Sequence, residues 1–461
     1  MGMRRRGRRQ QEALFIAAEQ LPKSDGHAFY IRLNGLLREA GFDDFVESRC
    51  QQYYDRSGNG RPSIPPGVYF RMLLVGYWEG IGSQRGIAWR CADSLSLRKF
   101  LGVPLTEDTP HHSSLTRVRD RLPLEVHVAV FQFVLRLAHA KGLLKGKTVA
   151  VDSTTLEADA AMKSIVRRDS GEDWKEYVTR LMKEEGVIEE EDDPSDEEVR
   201  RFDKKRKNKK VSNDDWISRT DPGARITKMK DGRTHLAYKA EHVIDAATEL
   251  ILAAEVYEAD HSDSQTLTDS TMEAVENTKQ AGGKRKIKEV VADKGYHSAK
   301  QLELIQSLNF RTYIPEPQRK GKSHWSDKPP EYQRAVYANR RRIKTEKNKR
   351  LQRLRSEKVE RSFAHVCRTG GSRRTWLRGI EKVNKRLLTS AMARNLGLLM
   401  RKLFGFGTPR SLQPEGGFAA LLQLAWLAIK PLVDATRILK TTTIQPKKEA
   451  NHPSHTFDIA A

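Results

Sequence analysis

Lys288-Glu289-Val290-Val291-Ala292-Asp293-Lys294-Gly295-Tyr296-His297-Ser298 is the stretch whose reading decides the fold. Two β-branched residues and an alanine run into a single carboxylate. Gly295 then breaks the strand, and Ser298 stands at an N-cap position before a helical run from Ala299 to Leu308. A lone aspartate ending a buried strand is held at the rim of a sheet, where α/β proteins place their chemistry. The pattern recurs upstream at Lys147-Thr148-Val149-Ala150-Val151-Asp152-Ser153-Thr154. One strand-end aspartate is more often a turn or cap residue than a ligand. Two of them, followed by a glutamate-bearing helix, point to a metal site.

Composition narrows the partner. The chain has 461 residues, enough for several domains and a substantial core. Its net charge of +23 and isoelectric point near 9.8 favour a polyanion. Cys50, Cys91 and Cys367 lie far apart, which excludes a Cys-rich zinc module or disulfide framework and fits a reducing interior. No apolar run approaches the roughly 18 residues of a membrane span. The arginine-rich stretch Met1 to Arg9 lacks the apolar core of a secretion signal. These features predict a soluble cytoplasmic protein with no membrane partner, associated with the nucleoid if its polyanion is DNA.

Residues 1–145 read as a helical domain behind a basic arm. Pro66 suits the first turn of a helix to Glu79. Ser83 can cap a helix through Cys91, Leu95 to Leu101 closes at Gly102, and Ser113 can cap Leu115 to Leu122. A longer helix spans Leu124 to Leu143. Arg117 and Arg121 lie four apart on the short helix before Pro123. They fit either DNA binding in helix-turn-helix manner or a solvated helix face, and the residues alone leave both open.

Residues 146–405 read as an α/β domain. A strand from Lys147 to Asp152 is followed by a charged insertion over 159–215, where an acidic run, Glu189 to Asp193, precedes basic Arg200 to Lys210. Opposite charge blocks with few apolar residues predict a flexible segment. A nuclear address at Lys204-Lys205-Arg206-Lys207 is the weaker reading. A hairpin at Thr234 to Ile244 and Leu250 to Tyr257, a helix from His261, the Asp293 strand, a helix and a strand at Phe310 to Ile314 come next. Residues 316–345 read as a polar, basic crossing, with helices at Leu351 to Val366 and Val383 to Leu403 beyond it. Residues 406–461 read as a partly disordered tail.

The order hairpin, strand, helix, strand, helix, with carboxylates on the first strand, a later strand and a following helix, matches the RNase H-like fold with its mixed sheet. The chain resembles the DDE transposases of bacterial insertion sequences, in the subgroup with a helical N-terminal domain. The resemblance rests on Val151-Asp152-Ser153-Thr154, Ser218-Arg219-Thr220-Asp221-Pro222, Tyr238-Lys239 with Asp245, Ala292-Asp293-Lys294-Gly295-Tyr296 and Val359-Glu360-Arg361-Ser362-Phe363. It extends over roughly residues 25–405, including an N-terminal domain-like region from Pro65 to Pro123. Each motif is weak alone, and their order makes the match.

The resemblance implies that Asp152, Asp293 and a glutamate hold two Mg²⁺ ions, for which Mn²⁺ substitutes, about 4 Å apart across a scissile phosphate. For the glutamate, Glu357 has Arg353 and Arg361 four residues away on either side, a ready ion-pair role. Glu360 has only Ser356 and Ala364 there and is free for a metal, and the family motif points to it as well. Lys294, Arg361 and Arg368 are candidate phosphate contacts, and Arg340 to Arg350 a cationic approach. Trp325 reads as a core or loop residue before a base-stacking one. His297 reads as a surface or cap residue before a ligand, and the pair His111-His112 has no Cys or acidic residue at metal-binding spacing. The implied activity is cleavage at the ends of an insertion sequence and strand transfer into target DNA. The implied partners are double-stranded DNA, as terminal inverted repeats and target, and further copies of the chain in a synaptic dimer or larger assembly. An RNase H-like nuclease without strand transfer and an inactive end-binding repressor are the other readings.

Overall fold

The computed structural model describes residues 17, 20–55, 63–207, 212–229, 232–283, 286–318 and 325–412. The basic arm and the tail beyond 412 lie outside them. The N-terminal region is helical: α1 (Ala28–Glu39), α2 (Phe42–Cys50), α3 (Pro66–Glu79), α4 (Gln84–Ala92), α5 (Leu95–Leu101), α6 (His112–Arg121) and α7 (Leu124–Ala140). Local chemistry sets their ends. The Ser83 hydroxyl accepts from the Gly86 amide, and Gly102, at φ 73°, closes α5 in the left-handed region. One cap differs from expectation. α6 starts at His112 because the His111 ring nitrogen accepts from the Ser113 amide, doing what Ser113 was expected to do two residues on. α3 is apolar nearly all round, with Tyr69, Phe70, Met72, Val75 and Trp78 buried, so it is a central helix of this region.

Next come β1 (Thr148–Glu157), β2 (Ile165–Arg167), α8 (Trp174–Glu184), α9 (Asp196–Lys205), β3 (Trp216–Ser218), β4 (Arg225–Lys228), β5 (Thr234–Asp245), β6 (Ile251–Glu258), α10 (Asp263–Gln280), β7 (Glu289–Val291), α11 (Ala299–Ser307), β8 (Arg311–Tyr313), α12 (Pro330–Ile343), α13 (Glu346–Ala364) and α14 (Ile380–Phe404). The main sheet runs β5–β1–β7–β8, with β6 and β4 sharing the outer edge of β5. β5 is antiparallel to β1 and β6, while β7 and β8 are parallel to β1 and to each other. This is the expected α/β, RNase H-like mixed sheet behind an all-α region. Side chains alternate along β5, so Lys239 and Glu241 face α10 through Thr266 and Ser270, while His242 faces α13 through Ser362.

The insertion is a correction. Residues 159–215 were expected to be flexible, yet α8 and α9 pack Val178, Met182 and Val199 into a small core with Trp174, Tyr177, Ile188 and Phe202, beside the β2–β3 pair. Capping boxes at Asp173 and Ser195 start both helices. The apolar residues are sparse but fall on facing stripes, which a composition count cannot see. The 316–345 crossing likewise contains α12, where Pro330 fills a first-turn position. α14 belongs to both regions: Asn395 hydrogen-bonds both backbone groups of Ile251 in β6, and the buried face of α14 packs on α3 and α7. One continuous core therefore runs from the helical region into the sheet.

Candidate active site at the sheet rim

Register brings the two aspartates together. Parallel pairing sets Ala150 of β1 level with Val291 of β7. Asp152 stands two residues further along β1, on the face that Ala150 occupies, and Asp293 stands two residues past the end of β7, close enough for its charge to act on Asp152. That face is covered by α13, whose Leu351 packs on Val291 and Tyr313. Asp293 starts the turn Lys294–Tyr296, its Oδ1 accepting from the Gly295 amide at 2.8 Å.

α13 lies across the rim. Gln352 donates to the carbonyls of Ala292 and Tyr313, Arg355 Nη1 donates to Asp152 Oδ2 at 2.9 Å, and Ser362 and Phe363 reach His242, the cross-strand partner of Asp152. Burial pushes the Asp152 carboxyl up to about 6. Arg355 and the Ser153 amide oppose that rise, and the nearby charges of Asp293 and Asp263 add to it. Asp152 therefore sits in the field of a second and a third carboxylate.

His242 is fully buried and stacked on Phe363, ring centroids 4.1 Å apart. Ser362 donates its hydroxyl to the Val359 carbonyl, so its oxygen accepts from His242 Nδ1–H at 3.1 Å. Burial holds this imidazole neutral, its pKa lowered to about 3.

Glu360 and Glu357 divide as their helix neighbours predict. Arg361 Nη2 donates to Glu357 at 2.6 Å, whereas Glu360 accepts from Ser356 Oγ at 3.1 Å. Glu360 is exposed, one position past buried Val359. The carboxylate oxygens of Asp152, Asp293 and Glu360 do not all lie within 4.8 Å of one another. Among the described residues, Glu258, Asp260 and His261 form a group that does. Arg225 already pairs with Glu258 and Asp260 of that group.

The basic candidates separate by their partners. Arg117, Arg121, Lys294 and Arg368 are exposed, and Arg121 also lies 4.7 Å over the Tyr54 ring. Arg361 was expected to meet phosphate; it instead bridges Glu249 and Glu357, each at 2.6 Å. Much of the cationic approach is similarly engaged: Arg340 forks onto Glu316, Arg342 onto Thr312, and Lys347 pairs with Glu289. Trp325 is half-buried against the core, 6.2 Å from the Tyr337 ring.

Two residues at the rim carry no signal in the sequence. Arg355 looks like one more cation in a basic helix until the fold sets it on Asp152. Asp263 reads as an ordinary first-turn acid on α10, offsetting the helix dipole. In the structure Ser153 Oγ donates to its Oδ1 at 2.8 Å, and Lys239 Nζ lies 2.9 Å from the same oxygen.

A mixed sheet of this order, with aspartates level on adjacent parallel strands, defines the RNase H-like class. The Transposase DDE domain family matches residues 144–396, more than half of the chain, and the Transposase domain (DUF772) matches residues 18–121. The chain belongs to the DDE transposases. No curated protein matches it. It is thus a transposase by family, of a kind that acts on DNA and generally depends on a divalent metal. No single helix among the described residues is long and apolar enough to cross a membrane.

Proposed function

We propose that this transposase cuts DNA at the ends of its insertion sequence and joins the freed 3′-hydroxyls to target DNA, with Asp152, Asp293 and Glu360 as the acids of the reaction. The observation that carries the reading is the level placement of Asp152 and Asp293 two residues beyond a parallel pair. The donors are all carboxylate oxygens, which suits hard cations such as Mg²⁺ or Mn²⁺. Gly295 supports the same fit: a side-chain carbon there would lie 3.0 Å from Asp293 Oδ1 and 2.7 Å from Asp263 Oδ2, so its absence keeps open a gap between two acids. When bound, two such cations would activate the attacking water or hydroxyl and offset charge on the leaving oxygen.

The chain's own groups prepare that place. Asp152 is held by Arg355 and the Ser153 amide, Asp293 by the Gly295 amide, and Glu360 by Ser356. Exposed Arg117 and Arg121 on α6, with Lys294 next to Asp293 and exposed Arg368, suit contacts to the phosphates of double-stranded DNA. Holding both inverted repeats at once calls for a dimer or larger synaptic assembly. A chain of this charge would reside with the nucleoid.

The test is cleavage and joining on a plasmid carrying the gene's native flanks in Mg²⁺ or Mn²⁺. Wild type and Glu357→Ala should give excised and joined product, and Asp293→Ala and Glu360→Ala none. Nicks without joining would make the chain a nuclease. Specific binding of the flanks without cleavage would make it a repressor.

A further inference from the structure

The reaction assigned above uses three acids, but a fourth carboxylate faces the same gap from the other side of the sheet. Asp263 opens α10, one residue past its Ser262 cap. Two donors, Ser153 Oγ and Lys239 Nζ, converge on its Oδ1. They fix the carboxylate plane and turn Oδ2 to the point where a Gly295 side chain would stand. Asp293 Oδ1 abuts that same point.

Lys239 is itself committed. It is 4% exposed, donates to Thr266 Oγ1 at 2.8 Å and lies 3.4 Å from Glu241 Oε2. Glu241 is fully buried and takes hydrogen bonds from Thr266, Ser270 and the Tyr296 hydroxyl. A buried lysine between two carboxylates, tied into a satisfied network, is an expensive arrangement for merely capping a helix. Ser262 already supplies the capping box of α10. Gly295 is conformationally ordinary, so its lack of a side chain serves space and not backbone freedom.

We propose that Asp263 is a fourth metal-holding acid of this site, its Oδ2 acting together with Asp293 on one divalent, oxygen-seeking cation across the gap that Gly295 leaves. The inference rests on the proposed metal site at Asp152 and Asp293. Ser153 and Lys239 are its positioning residues: they set the direction of Oδ2 without reaching the gap themselves.

Mn²⁺ binding to the full chain, read as loss of the free-ion electron paramagnetic resonance signal, tests this without any DNA reaction. Asp263→Asn keeps the shape and can still accept from Ser153. It should raise the Mn²⁺ concentration at half-saturation about 10-fold, as losses of metal-site partners do. Asp263→Glu should recover part of that, and Glu357→Gln should bind as wild type. Gly295→Ala, which meets only the ends of two side chains, should weaken binding in the same direction. It also decides the matter if Asp263→Asn fails to fold, judged by melting in EDTA. Wild-type Mn²⁺ affinity in Asp263→Asn, or in Gly295→Ala where the former does not fold, would overturn the fourth acid. If Asp152→Asn and Asp293→Asn lost binding in that same experiment, the three-acid reading would stand. Unaltered binding in those two variants as well would remove both.

Discussion

Four aspartates sit in the motifs of this chain, and they divide into two pairs by what surrounds their oxygens. Asp221 and Asp245 are buried and tied to distant parts of the fold, Asp221 through Oδ1 alone. Asp245 takes the amides of Lys145, Gly146 and Ala247, and Asp221 takes the Tyr238 hydroxyl and the Gly379 amide. Asp152 and Asp293 stand at the rim, with one guanidinium and single local amides between them. The first pair fastens the strand-entry loop and the start of α14; the second keeps lone pairs in reserve. Motif membership is the same for all four, and burial among structural donors against a place at the open rim separates architecture from chemistry.

The largest effect should come from exchanging the assay between the pairs. Asp152→Asn and Asp293→Asn should lower cleavage by about 10³-fold, several kcal/mol of lost charge stabilisation, with melting shifted by no more than a few degrees. Asp245→Ala leaves three amides, that of buried Gly146 among them, without their acceptor and should cost about 2–4 kcal/mol in denaturant unfolding. A stable Asp245→Ala protein, or an unfolded Asp293→Asn one, would break the distinction.

A smaller effect sharpens it with pH. Glu255 on β6 is a carboxylate of neither kind: burial, with Glu273, Glu241 and Asp269 nearby, pushes its carboxyl up to about 7. An acid whose folded pKa lies above its unfolded value holds its proton longer in the native state. Its stabilising contribution is complete below the unfolded value near 4.5 and is lost as pH rises to about 7. Glu255→Gln should therefore melt like wild type at pH 4 and be more stable at pH 8, by about 3 kcal/mol. Equal gains at both pH values would assign the effect to packing.

Sequence legibility followed the same physics. The strands bearing Asp152 and Asp293, their hairpin and the glutamate helix were readable because period-two apolar runs ending in an acid are local patterns. The pairing of Glu357 with Arg361 was readable because residues four apart on a helix meet. The structure of 159–215 was not, since its small core needs α8 and α9 to face each other, and neither helix is apolar by composition. Arg355 and Asp263 were illegible for a related reason. Each acquires its meaning from a residue more than a hundred positions away: Arg355 from Asp152, and Asp263 from Ser153.

The smallest effect concerns Arg361, the cation that satisfies two acids at once. Its partners differ in exposure: the Glu357 side chain is 53% exposed and that of Glu249 15%. Glu249 also receives Arg394 Nη2 at 3.3 Å, so it neutralises two arginines, one of them nearly buried. An exposed i,i+4 pair contributes about 0.5 kcal/mol, because water screens it and both side chains lose rotamer freedom. Removing the acid from a partly buried pair strands the opposing charges and costs several-fold more. Glu357→Ala should thus shift denaturant midpoints barely above error and leave cleavage intact, while Glu249→Ala should destabilise by about 2–4 kcal/mol. A large loss of cleavage in Glu357→Ala, with its stability unchanged, would mean that the ion pair hides a reacting acid, and the third carboxylate would move one helical turn back from Glu360.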